Sequence, residues 1–283
     1  MILSRSTLRH TAYVLGENPL TIIAFSLFGL IIFVAIFGPA LAPYDPLEPS
    51  GSRLQPPSPD HLFGTDHLGR DLLSRVIHAT RLDLTIAIAA VFMGLIIGGL
   101  IGSLAGFYGG WVDTIISRGV DTIMAFPLFV LAMALVAVLG NSVQNVVYAT
   151  AIINIPFYAR VARAEINVLR QSGFAAAAKV SGNTDGQLLL RHLFPNILPP
   201  LMVQVSLNMG WAILNAAGLS FIGVGVQPPT PEWGILVASG ADYIISGEWW
   251  LVLFPGLALM LAVLCFNLMG DGLRDLVDPR RRT

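Results

Sequence analysis

Charged side chains are scarce in this chain of 283 residues. Asp, Glu, Lys and Arg make up 12% of it, against about 25% in a typical soluble domain. Hydrophobic residues reach 55% and the mean hydropathy is +0.73, so the composition indicates an integral membrane protein in a lipid bilayer. The formal net charge of −1 argues against a nucleic-acid partner, which would need a basic surface.

Cysteine and lysine are almost absent. Cys265 is the single cysteine and lies in an apolar run, which excludes a disulfide framework within one chain. Lys179 is the only lysine, and it lacks the preceding glycines of a phosphate-binding loop. We therefore expect no cofactor in this chain, and ATP and Mg²⁺, if they are used, to be bound by partner subunits.

Catalytic and metal-binding patterns are also missing. The sequence contains neither Gly-x-Ser-x-Gly nor His-Glu-x-x-His, so we predict no catalytic residue and no enzyme activity. His61 and His67 are six residues apart in a loop. Two histidines alone do not make a metal site, and we predict none.

Uncharged runs predict the membrane spans. A helix needs about 20 apolar residues to cross a bilayer. We divide the long run 122–159 near residues 140–142 because it is too long for one crossing. The fold class is then an all-α integral membrane protein with six transmembrane helices, near 18–44, 84–112, 114–139, 143–163, 198–222 and 249–270.

A cleavable signal peptide is the alternative interpretation of the first run, with residues 40–42 as the cleavage site. The apolar part is too long for the h-region of about 7–15 residues in such a peptide. We therefore expect a retained helix. The predicted organisation is an N-terminal part, 1–83, a five-helix core, 84–275, and a tail, 276–283.

The segment 45–83 is the longest polar part of the chain. Five prolines make its first half loop-like. From Asp71 to Asp83 apolar residues recur at helical spacing, which predicts a short amphipathic helix on the membrane surface before the second span.

Glycines recur every four residues along the second span. On a helix they form one smooth stripe that lets another helix approach closely. We predict a packing role for the stripe, which consists of Gly94, Gly98, Gly102, Gly106 and Gly110.

The fifth span carries uncharged polar residues on one helix face. We interpret this face as lining a polar translocation path, and hydrogen bonding to a neighbouring helix is the alternative. The residues are Gln204, Asn208, Trp211 and Asn215, with a shorter set at Asn145 and Tyr148 on the fourth span.

Arginines indicate the orientation. Twelve of the 16 basic residues lie in the termini, the 113–121 turn and the 160–191 loop, and basic loops stay cytoplasmic. We expect a multi-pass membrane protein with both termini in the cytoplasm. The segments 45–83 and 223–248 then face outward.

Four motifs, in order, resemble the membrane permease subunit of ATP-binding-cassette importers, in the dipeptide, oligopeptide and nickel branch. The resemblance covers almost the whole chain. The motifs are an N-terminal signature at 63–75, a cytoplasmic loop at 174–195, an outer loop at 227–234 and the end of the last helix at 266–275. The resemblance implies a type I importer permease architecture.

The cytoplasmic loop is similar to the family pattern Glu-Ala-Ala, three residues, Gly, nine residues, Ile, one residue, Leu-Pro. Ala176 stands in place of the glutamate, so the salt bridge of that glutamate is missing here. Within a coupling loop, 164–195, the resemblance implies ATPase coupling by Ala176, Ala177, Ala178, Lys179, Gly182, Asn183, Thr184, Asp185 and Pro195.

The outer motifs predict contacts outside the membrane. An external substrate-binding protein or an outer gate is one interpretation, and an interfacial anchor is the other. The residues are Asp66, Arg70, Asp71, Glu232 and Trp233.

The resemblance implies a half-pathway that works with a second permease, two ATP-binding subunits and a solute-binding protein. Di- or oligopeptides, including D-amino-acid dipeptides, are the expected substrates, with glutathione and nickel complexes as alternatives. A secondary transporter or channel is the alternative from another functional class. It would need ion-coupling acidic residues within the membrane, and the interiors of the predicted spans contain none.

Overall fold

The computed structural model describes residues 19–277, and the side chains of residues 22–272. Predictions for residues 1–17 and 278–283, including their arginines, lie outside the described residues. No β-strand occurs within 19–277. The helices are α1 (Pro19–Leu41), α2 (Leu72–Tyr108), α3 (Gly110–Met124), α4 (Leu128–Leu139), α5 (Val143–Leu169), α6 (Gly173–Val180), α7 (Asp185–Phe221), α8 (Trp233–Ala241) and α9 (Trp250–Val277).

The helices agree with the predicted all-α membrane fold. In the described part of the chain, α1, α2, α7 and α9 are long and apolar enough to cross a membrane, and α3 with α4 adds a fifth candidate as a bent pair. The fourth predicted span corresponds to α5, whose 27 residues extend for about 40 Å. Polar residues such as Asn145 and Asn154 lower its hydropathy.

The separate surface helix predicted at 71–83 is wrong. Residues 72–108 form one helix of 37 residues, which Asp71 caps by accepting a hydrogen bond from the Ser74 N–H at 2.8 Å. The helix continues through this region because its polar side chains find buried partners. Arg75 lies 3.7 Å from Asp66, and Asp83 accepts the Trp233 N–H at 3.0 Å.

The third predicted span is broken. Helices α3 and α4 meet at 88°, and the break ends at Pro127, which caps α4. Proline has no N–H to donate and disfavours helical geometry in the residue before it. Helix α4 alone has 12 residues, about 18 Å, which is shorter than the hydrocarbon core of about 30 Å.

Helices α2 and α5 pack backbone to backbone along the glycines. A methyl group added at Gly98, Gly102 or Gly106 would lie 2.5, 2.2 or 2.5 Å from a carbonyl oxygen of α5. Gly94 faces Asn154, which also lies on α5. Gly110 lies beyond the end of α2, with a φ of +53° and open space around it, so it takes no part in this contact.

Candidate functional site

Helix α6 projects from the α5–α7 connection as a short exposed element. Ala175 is buried and anchors it to the protein, whereas Ala176, Ala177 and Lys179 are exposed. Val180 is 89% exposed, an apolar side chain that the motif comparison did not single out. The available signal in the sequence was that a β-branched apolar residue stands at the end of an alanine helix, where it has no packing neighbour.

The end of α6 is a tight turn. The Ser181 N–H donates to the Ala177 carbonyl at 2.9 Å, and the Asn183 amide donates to the Ala178 carbonyl at 2.8 Å. Gly182 has a φ of +84° with nothing within 4 Å of an added methyl group. Glycine is therefore required at this position by the backbone conformation and not by a lack of space.

The next turn starts α7. Thr184 and Gln187 form a reciprocal capping box, with hydrogen bonds of 3.0 and 3.3 Å, which satisfies free N–H groups at the helix start. Lys179 lies 3.8 Å from Asp185, and both are largely exposed, so the pair adds little stability.

A π-helical segment, residues 188–193, joins this turn to the long apolar part of α7. Leu188, Leu189 and Leu193 are buried there, and Pro195 follows at the surface. Such segments are rare and are frequent at functional sites. The exposed α6 is thus connected to a membrane helix through an irregular turn.

The polar side chains of α7 do not form an open stripe. Asn208 and Asn215 are buried; Asn208 accepts a hydrogen bond from Gln204 at 2.8 Å, and Asn215 donates to the Trp211 carbonyl at 2.8 Å. In this chain both amides bond within their own helix, and their place along a translocation path stays a prediction. Trp211 is 39% exposed.

The two predicted path residues on α5, Asn145 and Tyr148, also differ in side-chain exposure. Asn145 donates to the Leu139 and Gly140 carbonyls, at 2.9 and 2.8 Å, and so ties the end of α4 to α5. Tyr148 is exposed. Of the six path residues predicted, Trp211 and Tyr148 are the two with exposed side chains.

Residues 45–71 and α8 fold together over the start of α2, and we call these two segments the cap. Trp233 donates from its indole to the Val76 carbonyl at 3.2 Å, and Trp250 donates to the Thr65 carbonyl at 3.4 Å. Phe63 stacks on Phe254 with ring centroids 3.9 Å apart. The Arg75 guanidinium also donates to the Pro229 carbonyl at 3.5 Å, so the motifs 63–75 and 227–234 meet in space.

The outer-contact prediction needs correction. All five side chains, Asp66, Arg70, Asp71, Glu232 and Trp233, are buried within the chain, so they do not offer an exposed binding surface. They pair internally instead: Arg70 contacts Asp66 at 2.7 Å, and His61 contacts Asp71 at 2.9 Å. Buried charges need such partners.

Sequence reasoning missed Asp83. It lies at the position where the predicted second span begins, and its side chain is 1% exposed. A carboxylate at the boundary of an apolar run was the available signal, but its partner on α8 is distant in the sequence.

Residues 98–283 match the family model described as the binding-protein-dependent transport system inner membrane component. The chain belongs to this family. Residues 6–57 match a second model, the N-terminal TM domain of oligopeptide transport permease C. As a member of this family of transport permeases, the chain is a non-catalytic membrane component.

Curated relatives extend over nearly the whole permease. The dipeptide transport system permease protein of Alkalihalophilus pseudofirmus is 44% identical over 271 residues, covering 95% of this chain and 88% of the relative. A probable D,D-dipeptide transport system permease protein of Escherichia coli is 45% identical, covering 95% and 90%. A glutathione transport system permease protein of Escherichia coli is 45% identical, covering 89% and 83%.

A solved structure supports the fold. A chain from inward-facing conformations of the MetNI methionine ABC transporter superposes with a TM-score of 0.58, covering 72% of this permease and 97% of that chain. At 18% identity this similarity concerns the fold alone.

Proposed function

We propose that this chain is the transmembrane permease subunit of an ATP-driven importer of short peptides in the bacterial inner membrane. It forms half of the translocation pathway, and a second, homologous permease forms the other half. Two ATP-binding subunits bind ATP and Mg²⁺, and an external solute-binding protein delivers the substrate. Both termini and α6 face the cytoplasm.

The observation that carries this proposal is the geometry of α6. A helix of eight residues exposes small side chains and Val180 beyond the membrane helices, and its only described lysine pair is solvated. Such a surface suits docking by shape in a cleft of an ATPase. The turn after the docked helix leads into the π-helical segment at the start of α7, so that movement of the ATPases reaches a pathway helix.

The substrate class rests on the relatives. Their names specify dipeptides, D,D-dipeptides and glutathione, which share peptide or peptide-like amides. We therefore favour di- and oligopeptides, with glutathione as the second candidate and nickel complexes as the third. Binding of these ligands to the purified cognate solute-binding protein is the measurement that separates them.

The exposed side of α7 is the preferred location of the path. Leu207, Trp211, Leu214 and Phe221 are exposed along this side, and Tyr148 is exposed on α5. The second permease would cover part of this surface and leave the remainder for the substrate. Interior amides such as Asn208 then stabilise the helix and do not contact the substrate.

Substitution Gly182→Ala tests the coupling role. A side chain in the left-handed region costs about 1–2 kcal/mol, so the turn after α6 is expected to relax and to misplace the helix. In proteoliposomes containing the assembled importer, we expect normal insertion but reduced substrate-stimulated ATP hydrolysis and transport.

Gly186→Ala is the matched control, because Gly186 lies in the same loop, has nothing within 4 Å and does not have a positive φ. It should preserve coupling. Normal coupled hydrolysis and transport in Gly182→Ala would contradict the proposed role of this turn.

A further inference from the structure

Two carboxyl groups meet in the interior between α2 and α8. Asp83 is 1% exposed and Glu232 is 0% exposed. Asp83 belongs to the first turns of α2 after the cap, and Glu232 caps the N-terminus of α8. Burial of two carboxylates side by side without compensation is strongly unfavourable.

Hydrogen bonds distinguish the two groups. Glu232 accepts the Gly234 N–H through Oε1 at 2.9 Å and the Ile235 N–H through Oε2 at 2.8 Å. Asp83 Oδ2 accepts the Trp233 N–H at 3.0 Å. Asp83 Oδ1 is buried and receives no N–H or O–H donor in the described part of the chain. Because Asp83 and Glu232 accept successive N–H groups at the start of α8, from Trp233 and Gly234, the two carboxyl groups lie side by side.

Basic side chains do not neutralise this pair. Among residues 22–272, neither carboxyl forms an ion pair with Lys, Arg or His. Arg75 lies on the same helix as Asp83, and its guanidinium is directed elsewhere. It donates to the Pro46 carbonyl at 2.8 Å and the Pro229 carbonyl at 3.5 Å, and it lies 3.7 Å from Asp66.

We propose that Asp83 and Glu232 bind one proton between them, carried on Asp83 Oδ1 and donated to Glu232, and that this proton holds α8 against α2. The assignment follows from the donors. Glu232 has two backbone N–H groups and the positive end of a helix to stabilise its negative charge. Asp83 has one donor and one unpaired oxygen, which an O–H group would satisfy.

The pair then makes the docking of α8 sensitive to pH. Burial disfavours a second negative charge in the pair, so the folded pair retains a proton that the unfolded chain has lost at neutral pH. A group with a raised pKa in the folded state stabilises the structure below its unfolded pKa, and this stabilisation is lost as the pH rises through the folded value. We therefore expect α8 to remain docked at acidic and neutral pH and to loosen at alkaline pH.

Asp83→Asn is the discriminating variant. The Asn oxygen can accept the Trp233 N–H while its amide donates to Glu232, so the contact persists without a titratable proton. In the full chain in membrane vesicles, infrared spectroscopy at neutral pH should detect a protonated carboxyl stretch that Asp83→Asn removes. Asp242→Asn, at an exposed carboxylate that follows α8, is the control and should leave the band unchanged.

Hydrogen exchange provides the second readout. Protection of the 233–235 amides in the wild type, corrected for the intrinsic exchange rate, should fall about tenfold per pH unit as the pH rises toward the pKa of the folded pair and should level off above it, whereas protection in Asp83→Asn should not vary with pH. If Asp83→Asn fails to fold, the wild-type titration alone remains decisive. The proposal is overturned if the wild type lacks the protonated band at neutral pH, or if its protection is the same at neutral and alkaline pH. Neither readout depends on peptide import.

Discussion

Gly102→Ala tests whether α2 and α5 are joined by their backbones. The added methyl carbon would lie 2.2 Å from the Ala159 carbonyl oxygen and 2.7 Å from the Ala159 Cα. Both atoms belong to the backbone of α5, so no side-chain rotation can relieve the contact. Ordinary van der Waals contact begins near 3.4 Å, and the helices would have to separate by about an ångström.

The expected cost is large because the separation spreads along the stripe. Gly98 and Gly106 are also in backbone contact with α5, so a local displacement loosens their packing. Overpacking of a tight interior typically costs about 1–3 kcal/mol, and a contact that only a backbone shift can relieve belongs at the upper end. Thermal unfolding of the purified chain in detergent, followed by tryptophan fluorescence, should show a lowered Tm.

Gly119→Ala provides the comparison. Gly119 lies within α3 with nothing within 4 Å, and alanine in a helix interior is favoured over glycine by about 0.5–1 kcal/mol. This variant should unfold at or slightly above the temperature of the parent. Equal unfolding temperatures for Gly102→Ala, Gly119→Ala and the parent would refute the reasoning.

Two further predictions concern the cap and α7. Trp233→Phe should remove the indole hydrogen bond to Val76, lower the unfolding free energy by about 1 kcal/mol and speed hydrogen exchange in α8, whereas Trp111→Phe, at an 83% exposed side chain, should change neither; equal exchange in both variants would contradict the role of that bond. In membrane vesicles, a cysteine at Trp211 should react with a polar thiol reagent and cysteines at Asn208 or Asn215 should be protected; equal protection at all three positions would exclude Trp211 from an aqueous path.

Local patterns predicted the parts of the fold that depend on near neighbours. A glycine every fourth residue specifies a smooth face on any helix, so close approach along α2 was predictable. The alanine run before Gly182 likewise favours a short helix, and glycine permits the positive φ of the turn that follows it. The break between α3 and α4 also had a local signal in Pro127, but the uncharged run around it favoured one continuous span.

Distant partners explain the predictions that were wrong. Arg75 and Asp83 resemble the polar face of a surface helix when only residues 71–83 are considered. Their partners are Asp66 and the start of α8. The pattern of residues 71–83 does not show that these segments pack against α2. The path role of Asn208 and Asn215 stays a prediction. They share a face with Trp211, and a helical pattern does not specify which side of that face the neighbouring helices cover.

The two helices that link the α6 side to the cap side differ in stiffness. Helix α2 is continuous over about 55 Å. The cap packs against one end, and at the other end the Arg170 side chain donates a hydrogen bond to the Phe107 carbonyl at 2.9 Å. Helix α7 contains a π-helical segment and the adjacent prolines Pro199 and Pro200, so it can bend. Arg170 lies between α5 and α6, so we expect a displacement of α6 to pass along α2 with little bending and along α7 with a change of shape. The two helices would then shift relative to each other where they pack side by side.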